Sequence, residues 1–161
     1  WFKKSEAVDQ DMRTRFGVLV QQARSGELAQ WREDALGRLA EILLIDQFSR
    51  NIFRGKPEAF SADTMALVLS QEAVSNRVDA LLSPSQKAFL YMPFMHSESK
   101  FIHEQAMVLY DQPGLESNFA SEKQHKAIID RFGRYPHRNA LLGRKSTAEE
   151  IAFLEEPNSS F

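Results

Sequence analysis

Apolar residues recur at helical spacing along the whole chain, and no stretch shows sustained period-two alternation. The first periodic segment contains Met12, Phe16, Leu19, Val20 and Ala23, which share one face of a helix because about 3.6 residues complete a turn. Only 7 Gly and 6 Pro occur among 161 residues, so few turns interrupt such segments. This pattern argues against sandwiches and barrels, which need frequent turn residues, and predicts an all-α protein.

Seven segments carry this helical pattern, and short connections join them. The second segment, from about Ala35 to Phe48, places Leu36 and Leu39 in the predicted core. Short connections favour antiparallel neighbours. We therefore predict about seven antiparallel helices stacked as helical hairpins, in a tetratricopeptide-like arrangement. No linker or low-complexity tract divides the chain, so residues 1–161 are predicted to form a single helical domain.

Capping residues predict where several helices begin. Ser83 followed by Gln86 three positions later is typical of a capping box, in which each side chain bonds the backbone N–H of the other residue. Ser146 and Glu149 have the same spacing before the last helical segment. We also expect Ser61 to cap the third helix with its hydroxyl group.

Composition excludes several classes of function. The absence of Cys removes disulfides, thiol catalysis, iron–sulfur clusters and cysteine zinc sites. A net charge of -2 and a pI near 6.1 lack the basic footprint of a nucleic-acid-binding protein, so no nucleic-acid partner is expected. No segment approaches the roughly 20 apolar residues of a membrane span, so no membrane partner is expected. The start at Trp1 resembles neither a signal nor a transit peptide, and we expect a cytoplasmic protein with a trimmed N-terminus.

Two passages, residues 44–55 and 130–144, gather arginine among aromatic residues. Guanidinium groups held beside aromatic rings bind carboxylate or phosphate bidentately and lose little side-chain entropy. These passages predict an anion-binding site. The expected ligand-binding residues are Asp46, Gln47, Arg50, Arg134, His137, Arg138, Asn139 and Arg144.

A third passage places His96, Ser97 and Glu98 together at a helix break. An imidazole beside a carboxylate is typical of acid–base chemistry, so His96 and Glu98 are the candidate catalytic residues. Ser97 is not expected to be a nucleophile, because the chain has no Gly-x-Ser-x-Gly elbow. His103 lacks the second histidine of a zincin motif, and we expect neither a metal nor a cofactor.

Several long motifs resemble those of one bacterial family. They are Leu39-Ala40, Leu44-Ile45-Asp46-Gln47-Phe48-Ser49-Arg50-Asn51, Phe60-x-x-Asp63, Phe89-Leu90-Tyr91-Met92-Pro93-Phe94-Met95-His96-Ser97-Glu98, Arg131-Phe132-Gly133-Arg134-Tyr135-Pro136-His137-Arg138-Asn139 and Leu142-Gly143-Arg144. With these motifs in order, the chain resembles the bacterial domain-of-unknown-function family nine-hundred-and-twenty-four from Trp1-Phe2 almost to Phe161. The resemblance implies a tetratricopeptide-like all-helical fold and no established activity.

Three functions stay open at this point. The first is a helical-repeat protein that binds a small anionic molecule or a peptide carboxylate. The second is an enzyme that acts on an anionic small-molecule substrate, with His96 as acid or base beside Glu98. The third is an interaction scaffold in which the polar residues form an internal salt-bridge network. Leftover apolar helix faces are also compatible with a homodimer.

Overall fold

The computed structural model describes residues 5–157 and 159–160, and within them all regular structure is helical, as the sequence predicts. The helices are α1 (Glu6–Arg24), α2 (Ala35–Leu43), α3 (Ser49–Ile52), α4 (Asp63–Ser75), α5 (Pro84–Met95), α6 (Lys100–Tyr110), α7 (Glu116–Phe132) and α8 (Ala148–Leu154). A π-helical turn, Leu44–Phe48, joins α2 to α3 without a break, so the described residues form seven continuous helices. The motif Trp1-Phe2 and the C-terminal Phe161 lie outside the described residues.

Consecutive helices pack against each other in the second half of the fold. Helix α4 contacts α5, α5 contacts α6, and α6 contacts α7. Helix α2 covers α4 and α5, while α1 lies on α3 and on the π-helical turn. This neighbour-to-neighbour order is that of helical hairpins. Their tetratricopeptide-like stacking, the single domain and the homodimer stay predictions.

Three hydrophobic clusters meet at one polar region. The largest is built on α2 and α4–α7 and includes Met95, while the second joins α1 to the π-helical turn and includes Ile45. A smaller third cluster contains Tyr135. Asp46 directly follows Ile45 in the chain and contacts His96, which directly follows Met95. The polar residues of interest therefore lie where the apolar cores adjoin.

Within the described residues, no helix is both long enough and apolar enough to cross a membrane. The cytoplasmic location stays a prediction.

The predicted start of α5 is confirmed, and the predicted cap of α4 is wrong. Ser83 and Gln86 form the reciprocal capping box before Pro84. Ser61 does not cap α4, because its Oγ accepts a hydrogen bond of 2.6 Å from Arg24 Nη2. Ala62 instead occupies the N-cap position, and its methyl group can neither donate nor accept a hydrogen bond.

The predicted capping box of the last helix is displaced by one residue. Thr147 and Glu150 form the box at the start of α8, in place of Ser146 and Glu149. Ser146 is already engaged, since its Oγ accepts a hydrogen bond of 3.0 Å from Asn139 Nδ2. Thr147 and Glu150 have the same spacing in the sequence as Ser146 and Glu149, and the contact of Ser146 with Asn139 favours the box at Thr147.

Two helical glycines should respond in opposite directions to alanine. A Cβ atom at Gly37 would collide with the backbone carbonyl of Trp31, so Gly37→Ala should lower the free energy of unfolding by about 1–3 kcal/mol. A Cβ atom at Gly17 would have Arg13 Cγ as its nearest neighbour, at 4.0 Å. Gly17→Ala should therefore raise the free energy of unfolding by roughly 0.5–1 kcal/mol, because alanine has the higher helix propensity. Urea unfolding followed by circular dichroism measures both changes. Equal effects of the two substitutions would contradict the close approach at Gly37.

Candidate functional site

The π-helical turn brings Asp46 and Gln47 into the interior. An α-helix buries one face, whereas here four consecutive residues from Leu44 to Gln47 are all buried. The wider turn changes the register of the helix, which is why a charged residue faces inward next to apolar ones. Turns of this type are rare and frequently occur at functional sites.

Asp46 is the anchor of the site. Its Oδ1 lies 2.7 Å from His96 Nδ1 and 2.9 Å from Arg50 Nη1, while its Oδ2 accepts a 2.6 Å hydrogen bond from Gln47 Nε2. Burial raises the pKa of Asp46, but Arg50, His96 and Gln47 outweigh it and hold the pKa well below its usual range. The carboxylate is therefore ionised at neutral pH.

His96 ends α5 and points one ring nitrogen at Asp46. Because Asp46 is ionised, we assign the ring proton to Nδ1, which donates to Oδ1. Among the described residues nothing hydrogen-bonds the other nitrogen, Nε2, and the His96 side chain is 15% exposed. Burial and the nearby Arg50 lower the pKa of His96. The imidazole is neutral at pH 7, with Nε2 unprotonated.

Two arginines share a single carboxylate on the other side of Asp46. Asp63, the first residue of α4, accepts two hydrogen bonds from Arg50, of 3.0 and 2.9 Å. Arg138 reaches the same carboxylate with one longer contact, 3.3 Å between its Nη1 and Asp63 Oδ2. Arg50 therefore has both Asp46 and Asp63 as partners. Among the described residues, Arg138 contacts one oxygen of the Asp63 carboxylate, which it shares with Arg50.

The guanidinium group of Arg138 lies between two aromatic rings. Its Cζ is 4.7 Å from the ring centre of Phe60 and 4.6 Å from that of Tyr135. The side chain is only 8% exposed, and its Nε has no hydrogen-bond partner within the described residues. Burial and the repulsion of Arg50 lower the pKa of Arg138. Arg138 is thus a rigidly held cation with unused donor capacity.

Glu98 is not the partner of His96, which corrects the predicted catalytic pair. It accepts two hydrogen bonds from Arg144, of 2.6 and 2.8 Å, and a third of 2.8 Å from the backbone N–H of Tyr135. Burial raises the pKa of Glu98, and these bonds outweigh that effect and lower it. Glu98 and Arg144 tie the loop around Tyr135 to the end of α5, while Asp46 takes the place beside His96.

Arg134 and Asn139 lie apart from these contacts. Arg134 forms two hydrogen bonds with Glu150, of 2.6 and 2.8 Å, and so supports the start of α8. Asn139 bonds Ser146 and holds the loop between them. His137 packs its ring 5.6 Å from that of Tyr135, and burial lowers its pKa to about 4.

Phe60, Asp63 and Tyr135 contribute to the site but are not among the predicted ligand-binding residues. The spaced motif Phe60-x-x-Asp63 was the available signal, since it places both side chains within one helical turn. Tyr135 donates a 2.5 Å hydrogen bond to the Met95 carbonyl and lies 3.3 Å from His103 Nε2. Only the folded chain brings these groups together.

A groove of about 530 Å³ lies between α5 and the start of α7. It is lined by Pro84, Ser85, Ala88, Phe89, Met92, Gly114, Leu115 and Asn118. None of the predicted site residues lines it. Met92 connects it to the site, because its Sδ accepts a hydrogen bond of 3.1 Å from Gln47 Nε2. Among the described residues, no group of three or more His, Asp or Glu side chains is arranged to hold a metal ion.

The family model described as bacterial protein of unknown function (DUF924) matches residues 1–158. The chain belongs to the DUF924 family. The resemblance seen in the motifs is thereby confirmed, and DUF924 membership carries no assigned activity. The chain is also similar to a solved structure of a protein of unknown function from Agrobacterium tumefaciens, with a TM-score of 0.91 and 37% identity over 96% of this chain and 88% of that one. No curated protein matches the DUF924 chain.

Proposed function

We propose that this DUF924 protein binds a small anionic molecule or a peptide carboxylate at Arg138, beside Arg50 and His96. The observation that carries the proposal is the incomplete pairing of Arg138. Its guanidinium group is buried between two rings and shares the carboxylate of Asp63 with Arg50, and its Nε has no hydrogen-bond partner among the described residues.

The charges around Arg138 favour an added anion. Asp46 contacts Arg50 and His96, and both carboxylate oxygens of Asp63 accept hydrogen bonds from Arg50. A buried cation without a full partner is costly, and a carboxylate or phosphate oxygen is the group that relieves this cost best. The same burial, together with the repulsion of Arg50, lowers the pKa of Arg138.

The surroundings of Arg138 are preorganised for such a ligand. Stacking between Phe60 and Tyr135 fixes the guanidinium plane before binding, so little side-chain entropy remains to be lost. The rim is partly open, because the side chains of Arg50 and Asp63 are each 19% exposed. This opening suits a ligand that presents one small anionic group.

Isothermal titration calorimetry at low ionic strength tests the proposal with three probes: succinate, inorganic phosphate and N-acetylglycylglycine. We expect the wild-type protein to bind at least one of them. Arg138→Met keeps the side-chain length between the two rings and removes the charge, so the affinity should fall at least about tenfold, as for the loss of a charge-assisted hydrogen bond.

Arg131→Met is the matched control. It removes the same charge at an exposed position, where Arg131 pairs with Glu149 at 2.8 Å and its side chain is 45% exposed. The control should bind like the wild-type protein. Absence of binding for all three probes, or equal binding by Arg138→Met and the wild-type protein, would contradict the proposed function.

A further inference from the structure

We propose that the protein hydrolyses an ester of a small acid and that His96 is the general base. The acid part of the substrate would carry a second, anionic group. The proposal rests on the proposed function, because the anionic group would be held at Arg138 while the ester carbonyl lies at His96 Nε2. It adds an activity and a substrate class to a binding site.

The geometry is that of an oriented imidazole. Asp46 Oδ1 holds Nδ1 of His96 at 2.7 Å, and Asp46 is itself fixed by Arg50 and Gln47. The ring can therefore turn only one nitrogen, Nε2, toward solvent. A buried carboxylate that holds an imidazole in one tautomer is the arrangement that hydrolases use to keep the outer nitrogen ready to accept a proton.

The base and the anion site belong to one continuous set of contacts. His96 contacts Asp46, Asp46 contacts Arg50, and Arg50 shares Asp63 with Arg138. Each of these contacts is between 2.7 and 3.3 Å. The ligand would lie along these contacts, with its anionic end at Arg138 and the reacting bond at His96.

The protonation state of His96 agrees with this role. The charged groups that act on it from the surrounding elements are Asp46, Arg50 and Asp63, and His125 is close enough to interact with it electrostatically. Burial and Arg50 lower the pKa of His96, which outweighs the opposite effect of Asp46. A neutral imidazole at pH 7 accepts a proton without first having to lose one.

Water is the nucleophile in this scheme, because the nearby hydroxyl groups are engaged. Ser49 is fully buried, and its Oγ accepts a hydrogen bond of 3.3 Å from Arg24 Nη1. Ser97 Oγ accepts a hydrogen bond of 3.2 Å from the backbone N–H of Ser99. Neither hydroxyl contacts His96, so a covalent acyl intermediate on serine is not part of the proposal.

The reaction balances with water as the only co-reactant. His96 Nε2 takes a proton from water while the water oxygen bonds to the acyl carbon, and the carbonyl electron pair moves onto its oxygen. When the carbonyl re-forms, the ester C–O bond breaks and the leaving alkoxide takes the proton from Nε2. The products are an acid and an alcohol, and His96 is neutral again.

The test compares two esters that share one leaving group: mono-4-nitrophenyl succinate, which carries a carboxylate, and 4-nitrophenyl acetate, which does not. Release of 4-nitrophenolate is followed by absorbance. We expect the wild-type protein to hydrolyse the anionic ester with a kcat/KM at least about tenfold above that for the neutral one. Arg138→Met should abolish this preference.

His96→Asn isolates the base, since the asparagine amide retains a donor toward Asp46 and lacks Nε2. It should lower kcat for the anionic ester about a hundredfold or more and leave succinate affinity within about threefold of wild type. The wild-type rate should be flat above pH 7 and fall in acid. Unfolding curves confirm that the variant is folded.

The outcomes separate the two proposals. If succinate binds with dependence on Arg138 and His96→Asn hydrolyses the anionic ester as fast as wild type, the catalytic inference is overturned and the binding proposal stands. If succinate does not bind and the two esters react equally, both proposals are overturned.

Discussion

Between pH 7.5 and pH 5.0, the free energy of unfolding should fall by about 4 kcal/mol. Two buried histidines account for most of this loss, and the lowered pKa of His96 acts in the same direction. Burial lowers the pKa of His125 to about 3 and that of His137 to about 4, whereas the unfolded chain titrates near 6.5. The unfolded state therefore binds more protons in this range, so stability is full above about pH 6.5 and is lost as the pH falls toward the folded-state pKa values. Each histidine contributes about 2 kcal/mol by pH 5.

Urea unfolding at the two pH values measures this loss. The range stops at pH 5 because unfolded carboxyl groups titrate mainly below it, which keeps the histidine contribution separate. His137→Asn should remove about half of the pH dependence. Equal stability of the wild-type protein at both pH values would show that these imidazole rings are accessible to protons in the folded state.

Glu122→Ala should lower the free energy of unfolding by about 3–5 kcal/mol. Glu122 and His103 are both fully buried, with 2.5 Å between Glu122 Oε1 and His103 Nδ1. Burial raises the pKa of Glu122 and outweighs the opposite effect of the hydrogen bond with His103. Removal of the carboxyl group leaves a buried imidazole nitrogen without a partner and opens a cavity next to Tyr135.

Glu149→Ala is the matched control for this loss. The ion pair of Glu149 with Arg131 has nearly the same length, 2.8 Å, but its side chain is 62% exposed. The control should cost about 1 kcal/mol or less, since exposed pairs contribute little. Thermal and urea unfolding of the two variants give the comparison. Similar losses for both would contradict the burial of the His103–Glu122 pair.

The fold was largely predictable because helical periodicity is a local property. Met12, Val20 and Ala23 are buried as the spacing predicts. Leu36 was predicted in the core, but it is the second residue of α2 and is 57% exposed. The pattern of apolar residues indicates that a helix has a buried face, but it does not fix how wide that face is.

Several residues of the candidate site could be named from the sequence, but the contacts between their side chains could not. Arg50, Asp46 and Arg138 belong to passages that the sequence marks as unusual. Asp63, the common partner of Arg50 and Arg138, is 75 residues from Arg138 in the chain, so no local spacing relates these two residues. The π-helical turn that buries Asp46 also has no local signature, since it depends on the helices that pack around it.

The central claim is that Arg138 is held for a ligand rather than for stability, and the unfolding free energy of Arg138→Met tests it most directly. Asp63 would still be held by both oxygens to Arg50, so no buried charge loses its last partner. The account predicts a stability within about 1 kcal/mol of wild type, together with the loss of anion binding. A loss of about 3–5 kcal/mol with anion binding retained would instead identify the cluster as a structural salt-bridge network.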